Sequence, residues 1–135
     1  MATELDFGSK EEQAYQAARE FSKLFYNTFD KKRHLLNRLY LDTASLVWNG
    51  HSVTGLDNII KFIDSLPSSE HTAENLDCQP LISEVSRGQL SIIVKVFGKV
   101  KYDNIKEPRA FNQDFLLTSQ NNVWKIVSDS LRFQE

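Results

Sequence analysis

The sequence predicts an α+β domain, a strongly bent antiparallel sheet packed on three helices. Three observations predict it. Apart from one short hairpin, apolar residues recur at three- and four-residue steps as far as Leu66, and at two-residue steps after Thr72. Helices therefore precede a strand-rich half. The later strands are long, and two of them contain Pro80 or Gly98, residues that suit strands which bend. Nine Phe, four Tyr and two Trp supply the large side chains that a curved sheet must bury or cover. At 135 residues the chain suffices for one domain with its own core. That domain is taken as residues 1–135, with 1–8 expected to be flexible.

Ser9 followed by Glu12 reads as a capping box opening the first helix. Ala14, Ala17, Ala18, Phe21, Leu24, Phe25, Thr28 and Phe29 form its apolar stripe over about twenty residues. Asp30 is placed to cap a second, shorter helix with Leu35, Leu36, Leu39 and Tyr40 on one side and Lys31, Lys32, Arg33 and Arg38 on the others. Asn49-Gly50, between two short strand-like runs, is a type I′ hairpin signal, because both turn positions need positive φ. Thr54 is expected to cap the third helix, whose stripe is Leu56, Ile59, Ile60, Ile63 and Leu66 and which Pro67 ends.

Four long strands follow. In residues 90–102 the even positions Leu90, Ile92, Val94, Val96, Val100 and Tyr102 are apolar, with Gly98 among them, and make one buried face. The odd positions Ser91, Ile93, Lys95, Phe97, Lys99 and Lys101 are mixed, and residues 110–118 and 123–133 also carry apolar groups on both faces. Gly88, the K-E-P-R segment and Asn121-Asn122 provide the turns.

Bulk properties narrow the function. A net charge of −2 offers no general attraction to nucleic acid or to an anionic membrane. One cysteine excludes an internal disulfide and a cysteine zinc cluster. The N-terminus has no basic and apolar pattern of a signal peptide, and no apolar run is long enough to span a bilayer. The expected location is cytosol or nucleus.

A curved sheet around helices can hold a pocket, so isomerase or dehydratase chemistry with a carboxylate or histidine base is one possibility. Its candidates are Tyr26, Tyr40, Asp42, His51 and Asp64, none paired at a spacing that marks a site. Cys78 has no His–Asp constellation beside it in sequence and reads as a small packing residue. His34, His51 and His71 lie in separate elements without metal-ligand spacing, and no phosphate-binding glycine motif occurs, so no cofactor or metal is expected. The basic groups K-K-R-H at 31–34 and Lys95, Lys99 and Lys101 read as a solvated helix face and a partner-facing strand, not as a nucleic-acid site. The stronger signal is the second sheet face. Its apolar groups, Ile93 and Phe97 among them, call for a covering protein, and Asp77 in such a contact needs a cationic partner.

Five dispersed segments carry a family resemblance. They are R-L-Y-L-D-T-A-S-L-V-W-N-G, L-P-S-S-E-H, D-C-Q-P, F-N-Q-D-F-L-L-T and V-W-K-I-V-S-D-S-L-R-F-Q-E, in this order. They resemble the nuclear transport factor 2-related export proteins, small subunits of the heterodimeric messenger RNA export receptor. The resemblance implies a nuclear transport factor 2-like cone and a non-catalytic role. The implied partner is the related domain of the large receptor subunit, packed sheet against sheet, with phenylalanine-glycine-repeat nucleoporins bound through the heterodimer. It also implies shuttling between nucleus and cytoplasm by way of the nuclear pore, with no direct nucleic acid or membrane contact. It assigns Asp77 of D-C-Q-P to an ion pair with a partner arginine, and Arg132 to the same interface. Ile93, Lys95 and Phe97 join them on period-two grounds alone. The alternative is nuclear transport factor 2 proper, a homodimer that carries GDP-bound Ran; a small-molecule enzyme of the same fold ranks below it.

Overall fold

The computed structural model describes residues 2–81, 90–121 and 123–134. Helix α1 spans Ala2–Lys31, a 3-10 helix spans Arg33–Arg38, and α2 spans Leu56–Asp64. The strands are β1 (Tyr40–Trp48), β2 (His51–Thr54), β3 (Ser69–Leu81), β4 (Ser91–Tyr102), β5 (Arg109–Gln120) and β6 (Val123–Phe133). They form one six-stranded sheet in the order β2-β1-β6-β5-β4-β3. The sheet is mixed rather than antiparallel throughout, because β1 and β6 run parallel. A parallel pair needs a long connection, and here that connection is residues 49–122, more than half of the chain.

The helical stripe of α1 buries Ala14, Ala18, Phe21, Phe25, Thr28 and Phe29 as expected, whereas Leu24 is exposed and Ser22 and Tyr26 are buried. The start of α1 precedes the Ser9 capping signal. Asp30 does not cap the next helix. Lys32 holds that position without a side-chain bond, Tyr40 already belongs to β1, and only Leu36 of the 3-10 helix is fully enclosed. At the hairpin, Asn49 (φ 47°) and Gly50 (φ 91°) adopt the positive φ that the turn requires. The residue before α2 is Gly55, not Thr54. Its φ of 87° turns the chain, its N–H donates to the Ala44 carbonyl at 2.8 Å, and its carbonyl accepts from the Ile59 N–H at 3.0 Å.

The core lies between α1, α2 and the concave sheet face. Phe25 sits at its centre, with ring centroids 5.2 Å from Tyr26, 5.9 Å from Phe29, 6.3 Å from Tyr40 and 4.8 Å from Phe115. From β4 it takes Ile92, Val94, Val96, Val100 and Tyr102, while Leu90, just outside the strand, is exposed. Arg33 departs from the expected solvated face. Its guanidinium reaches the carbonyls of Ile63, Leu66 and Pro67 and joins the ends of α1 and α2 to the start of β3.

The bend of β3 is not at Pro80, which pairs with Ile92 in unbroken register. The register shifts between Ala73 and Asn75, opposite Gly98. A side chain at Gly98 would run into the Thr72 carbonyl oxygen and approach Ala73 Cα at 3.1 Å. Gly98 is thus the residue that lets the bulge approach β4. Gly98→Val is expected to cost about 2 kcal/mol through this clash. A urea unfolding midpoint equal to wild type would show that the bulge can move aside. Gly88 and Asn122, assigned to turns from sequence, lie outside the described residues; Asn121 has the positive φ of 53° that a turn requires.

Candidate protein-interaction face

Strand β3 is the edge of the sheet and is mostly exposed. Within D-C-Q-P, the alternation of the strand turns Cys78 inward against the core and Asp77 outward. Burial first, and then the neighbouring Asp77 carboxylate, push the Cys78 thiol above its ordinary range, the reverse of a nucleophile's need. Along the free edge, the His71 N–H donates to Asp30 Oδ2 at 2.7 Å and the Cys78 N–H donates to Asp77 Oδ1 at 2.9 Å. Pro80, two residues on, has no N–H to offer. The edge therefore has few donors for an added strand, and Asp77 and Pro80 share in that protection.

The outer face of the sheet is different. Strand register sets three rows of side chains across it. Asp77, Lys95, Asp114, Ser130 and Val47 occupy successive strands in one row. Gln79, Ile93, Leu116, Ser128 and Ser45 form the second. Asn75, Phe97, Asn112 and Arg132 form the third. All five residues singled out from sequence, Asp77, Ile93, Lys95, Phe97 and Arg132, stand on this face. Ile93, Phe97, Leu116 and Val47 are half-buried, while Asp77, Lys95, Asp114 and Arg132 are exposed. The result is a face with half-buried apolar groups in each row and a line of alternating charge across β3, β4 and β5. A shallow depression of about 470 Å³ lies in it, lined by Asp77, Lys95, Phe97, Asn112 and Asp114 among others.

The structure also separates the enzyme candidates. Asp42, His51 and Asp64 are exposed on different elements. Tyr26 and Tyr40 instead meet in a buried network that sequence reasoning missed. The Tyr26 hydroxyl donates to Gln113 Oε1 at 2.7 Å, Gln113 Nε2 donates to Asp129 Oδ1 at 2.8 Å, and the Tyr40 hydroxyl donates to Asp129 Oδ2 at 2.7 Å. Burial raises the Asp129 carboxyl to about 6, against the lowering effect of the bonds from Gln113 and Tyr40. The signal available in sequence was alternation. With Phe111 and Phe115 inward, Gln113 must also point inward, where a polar group needs a partner.

A second missed pair is Asp30 with His71, whose Nδ1 lies 2.6 Å from Asp30 Oδ1. The His71 side chain is 1% exposed, and the rings of Tyr26, Phe29 and Phe111 surround it. The pair borders a furrow between α1 and β3, but Asp30 is already taken by Ser69 Oγ at 2.8 Å and by the His71 backbone. It fastens α1 to β3. Among the described residues no group of three His, Cys, Asp or Glu side chains could hold a metal ion, and no helix is long and apolar enough to cross a membrane.

Comparison with known proteins accords with this geometry. The family model of the nuclear transport factor 2 (NTF2) domain matches residues 17–133. The chain is 50% identical over its full length to the NTF2-related export protein 2 of Homo sapiens, of which it covers 97%. Among solved structures, nuclear transport factor 2 from Cryptosporidium parvum is 28% identical with a TM-score of 0.77, over 90% of this chain and 95% of that one. A chain of the Candida albicans Mtr2–Mex67 M domain complex shares the fold at a TM-score of 0.73 and 14% identity, over 90% of this chain and 96% of that one.

Proposed function

The chain belongs to the nuclear transport factor 2 (NTF2) domain family, and from that premise we propose that it is a non-catalytic subunit of a nuclear messenger RNA export receptor. It pairs through the outer face of its sheet with the NTF2-like domain of a large receptor subunit. In doing so it stabilises that domain and supports its binding to phenylalanine-glycine repeats as the receptor moves between nucleus and cytoplasm through the pore.

The observation that carries the reading is the outer face itself. Half-buried Ile93 and Leu116 are directly opposite across β4 and β5, half-buried Phe97 and Val47 stand on the same face in the other two rows, and charged Asp77, Lys95, Asp114 and Arg132 stand among them. Apolar groups with a polar surround are the anatomy of a protein interface. The protected β3 edge favours docking by the face over strand addition. Identity of 50% to an export protein along the whole chain, against 28% to the nuclear transport factor 2 of Cryptosporidium parvum, favours the export branch. The cone interior supports a non-catalytic role as well. Asp129 is enclosed by its bonding partners and the surrounding core, and it lines neither the depression on the outer face nor the furrow between α1 and β3.

Co-expression with the NTF2-like domain of a large export receptor is expected to yield a stable one-to-one complex. Asp77→Arg is expected to weaken it at least about tenfold, since reversal sets like charge against the partner's arginine. A complex of unchanged affinity would remove Asp77 from the interface. Sedimentation of the isolated chain with GDP-bound Ran tests the other branch, and a homodimer that captures Ran would replace the export reading.

A further inference from the structure

We propose that Asp114 is a second partner-reading carboxylate, and that the depression it borders receives a cationic side chain, arginine or lysine, from the domain docked on the sheet. This rests on the reading of the outer face as a docking surface and says what the docked domain must present there.

The argument begins with the row Asp77–Lys95–Asp114. Its three members are directly opposite across β3, β4 and β5, and each is exposed. One cation lies between two anions, so the row retains one uncompensated negative charge. Its next members, Ser130 and Val47, bring no charge. Among the described residues the only ion pair within 4.0 Å is His71–Asp30, so Lys95 is committed to neither neighbour.

The two carboxylates are not equivalent. Asp77 stands on the edge strand, and its Oδ1 is occupied by the Cys78 N–H at 2.9 Å. Asp114 accepts no hydrogen bond from any described side chain and stands on β5, two strands further into the sheet, where a docked domain excludes water more completely. Covering an unpaired carboxylate strongly opposes association unless the partner brings a cation to it.

The depression has the shape and lining for that cation. Phe97 forms one wall and Asn112 another, beside Asp114 and Lys95. A guanidinium or ammonium group placed there is bordered by an aromatic ring, an amide and a carboxylate, groups that can hold a cation at a desolvated surface. Lys95 repels it, which selects for an approach from the Asp114 side, since Lys95 separates Asp114 from Asp77.

The test uses the complete chain titrated with the NTF2-like domain of a large export receptor, with affinity measured by calorimetry at two salt concentrations. Asp114→Asn, nearly isosteric, is expected to weaken binding about tenfold and to reduce its salt dependence. Asp114→Lys is expected to weaken binding by a further factor of about ten, and charge reversal of the partner's facing basic residue should restore it. The position is exposed, so circular dichroism of both variants should match wild type. If Asp114→Lys binds like wild type while Asp77→Arg does not, the role of Asp114 is overturned and the docking face stands. If the wild-type chain does not bind the domain, the docking reading fails and this inference falls with it.

Discussion

Arg33→Ala is expected to destabilise the fold by about 3 kcal/mol, with Arg33→Lys recovering less than half of that. The side chain bridges segments far apart in sequence. Its Nε donates to the Phe29 carbonyl at 3.1 Å, Nη1 to the Ile63 and Leu66 carbonyls at 3.3 and 2.7 Å, and Nη2 to the Pro67 carbonyl and Ser69 Oγ at 2.9 and 3.1 Å. The carbonyls of Ile63 and Leu66 lie at and just beyond the end of α2, where a helix leaves its last acceptors unpaired and its dipole favours positive charge. The guanidinium carbon also lies 4.7 Å from the Phe29 ring centroid. Alanine would remove the donor that the Leu66 and Pro67 carbonyls share, while the Ile63 carbonyl would keep the Leu66 N–H at 3.0 Å. Lysine has one nitrogen and cannot fork across them. Urea unfolding of the three proteins at one pH decides the matter; equal midpoints for wild type and alanine would mean that water takes over the bonds without loss.

The second large effect is in pH. Asp129 titrates near 6 in the folded chain against an ordinary 3.8. The difference is worth roughly 3 kcal/mol, and its sign follows from which state binds protons more tightly. Below about pH 4 the carboxyl is protonated in both states and contributes no penalty. As pH rises from about 4 to 6 the unfolded chain ionises first, so the folded state loses stability, and the loss is complete above the folded value. Asp30 acts in the opposite direction. Burial would raise its carboxyl, but the hydrogen bonds and charge of His71, with the bond from Ser69, outweigh it and hold the group below its ordinary value. Its contribution is present above the unfolded value and disappears as pH falls through the lowered folded one.

From these two groups, unfolding midpoints are expected to peak in mildly acid solution and to decline toward neutrality. Asp129→Asn should flatten the decline between about pH 4 and 6.5, because an amide carries no proton to lose. It retains an oxygen for Gln113 and an N–H for the Tyr40 oxygen. The same slope in the variant would assign the decline to another group.

Much of this molecule was legible in its residues. Alternation through residues 92–102 placed the inward side chains of β4 and left Ile93, Lys95 and Phe97 on the other face, as found. Asn49-Gly50 marked its hairpin because positive φ is a local demand that few residues meet. The helix caps were less legible. Asp30 and Thr54 have the chemistry of caps, yet Asp30 is taken by His71 and Ser69, and Gly55 turns the chain at α2. A cap competes with tertiary partners that local sequence does not reveal. Of Pro80 and Gly98, both read as suiting a bend, only Gly98 stands at the bulge, for a similar reason. Proline signals a missing donor, which an edge strand tolerates, whereas the register shift was set by close approach at Gly98.

What the sequence determined by itself is the content of the fold: a helical first half broken by one hairpin and a second half of long strands, which side chains turn inward, and a sheet with apolar groups left on its outer face. Those properties depend on hydrophobic period and backbone preference, which act between residues a few positions apart. The tertiary structure alone decided which strands are neighbours and how far each slides along the next. That placed β1 parallel to β6, closed Tyr26, Gln113, Asp129 and Tyr40 into one buried network, and set Lys95 between Asp77 and Asp114. Each of these depends on hydrogen bonds between segments distant in the chain, whose register is chosen by the packing of the whole core.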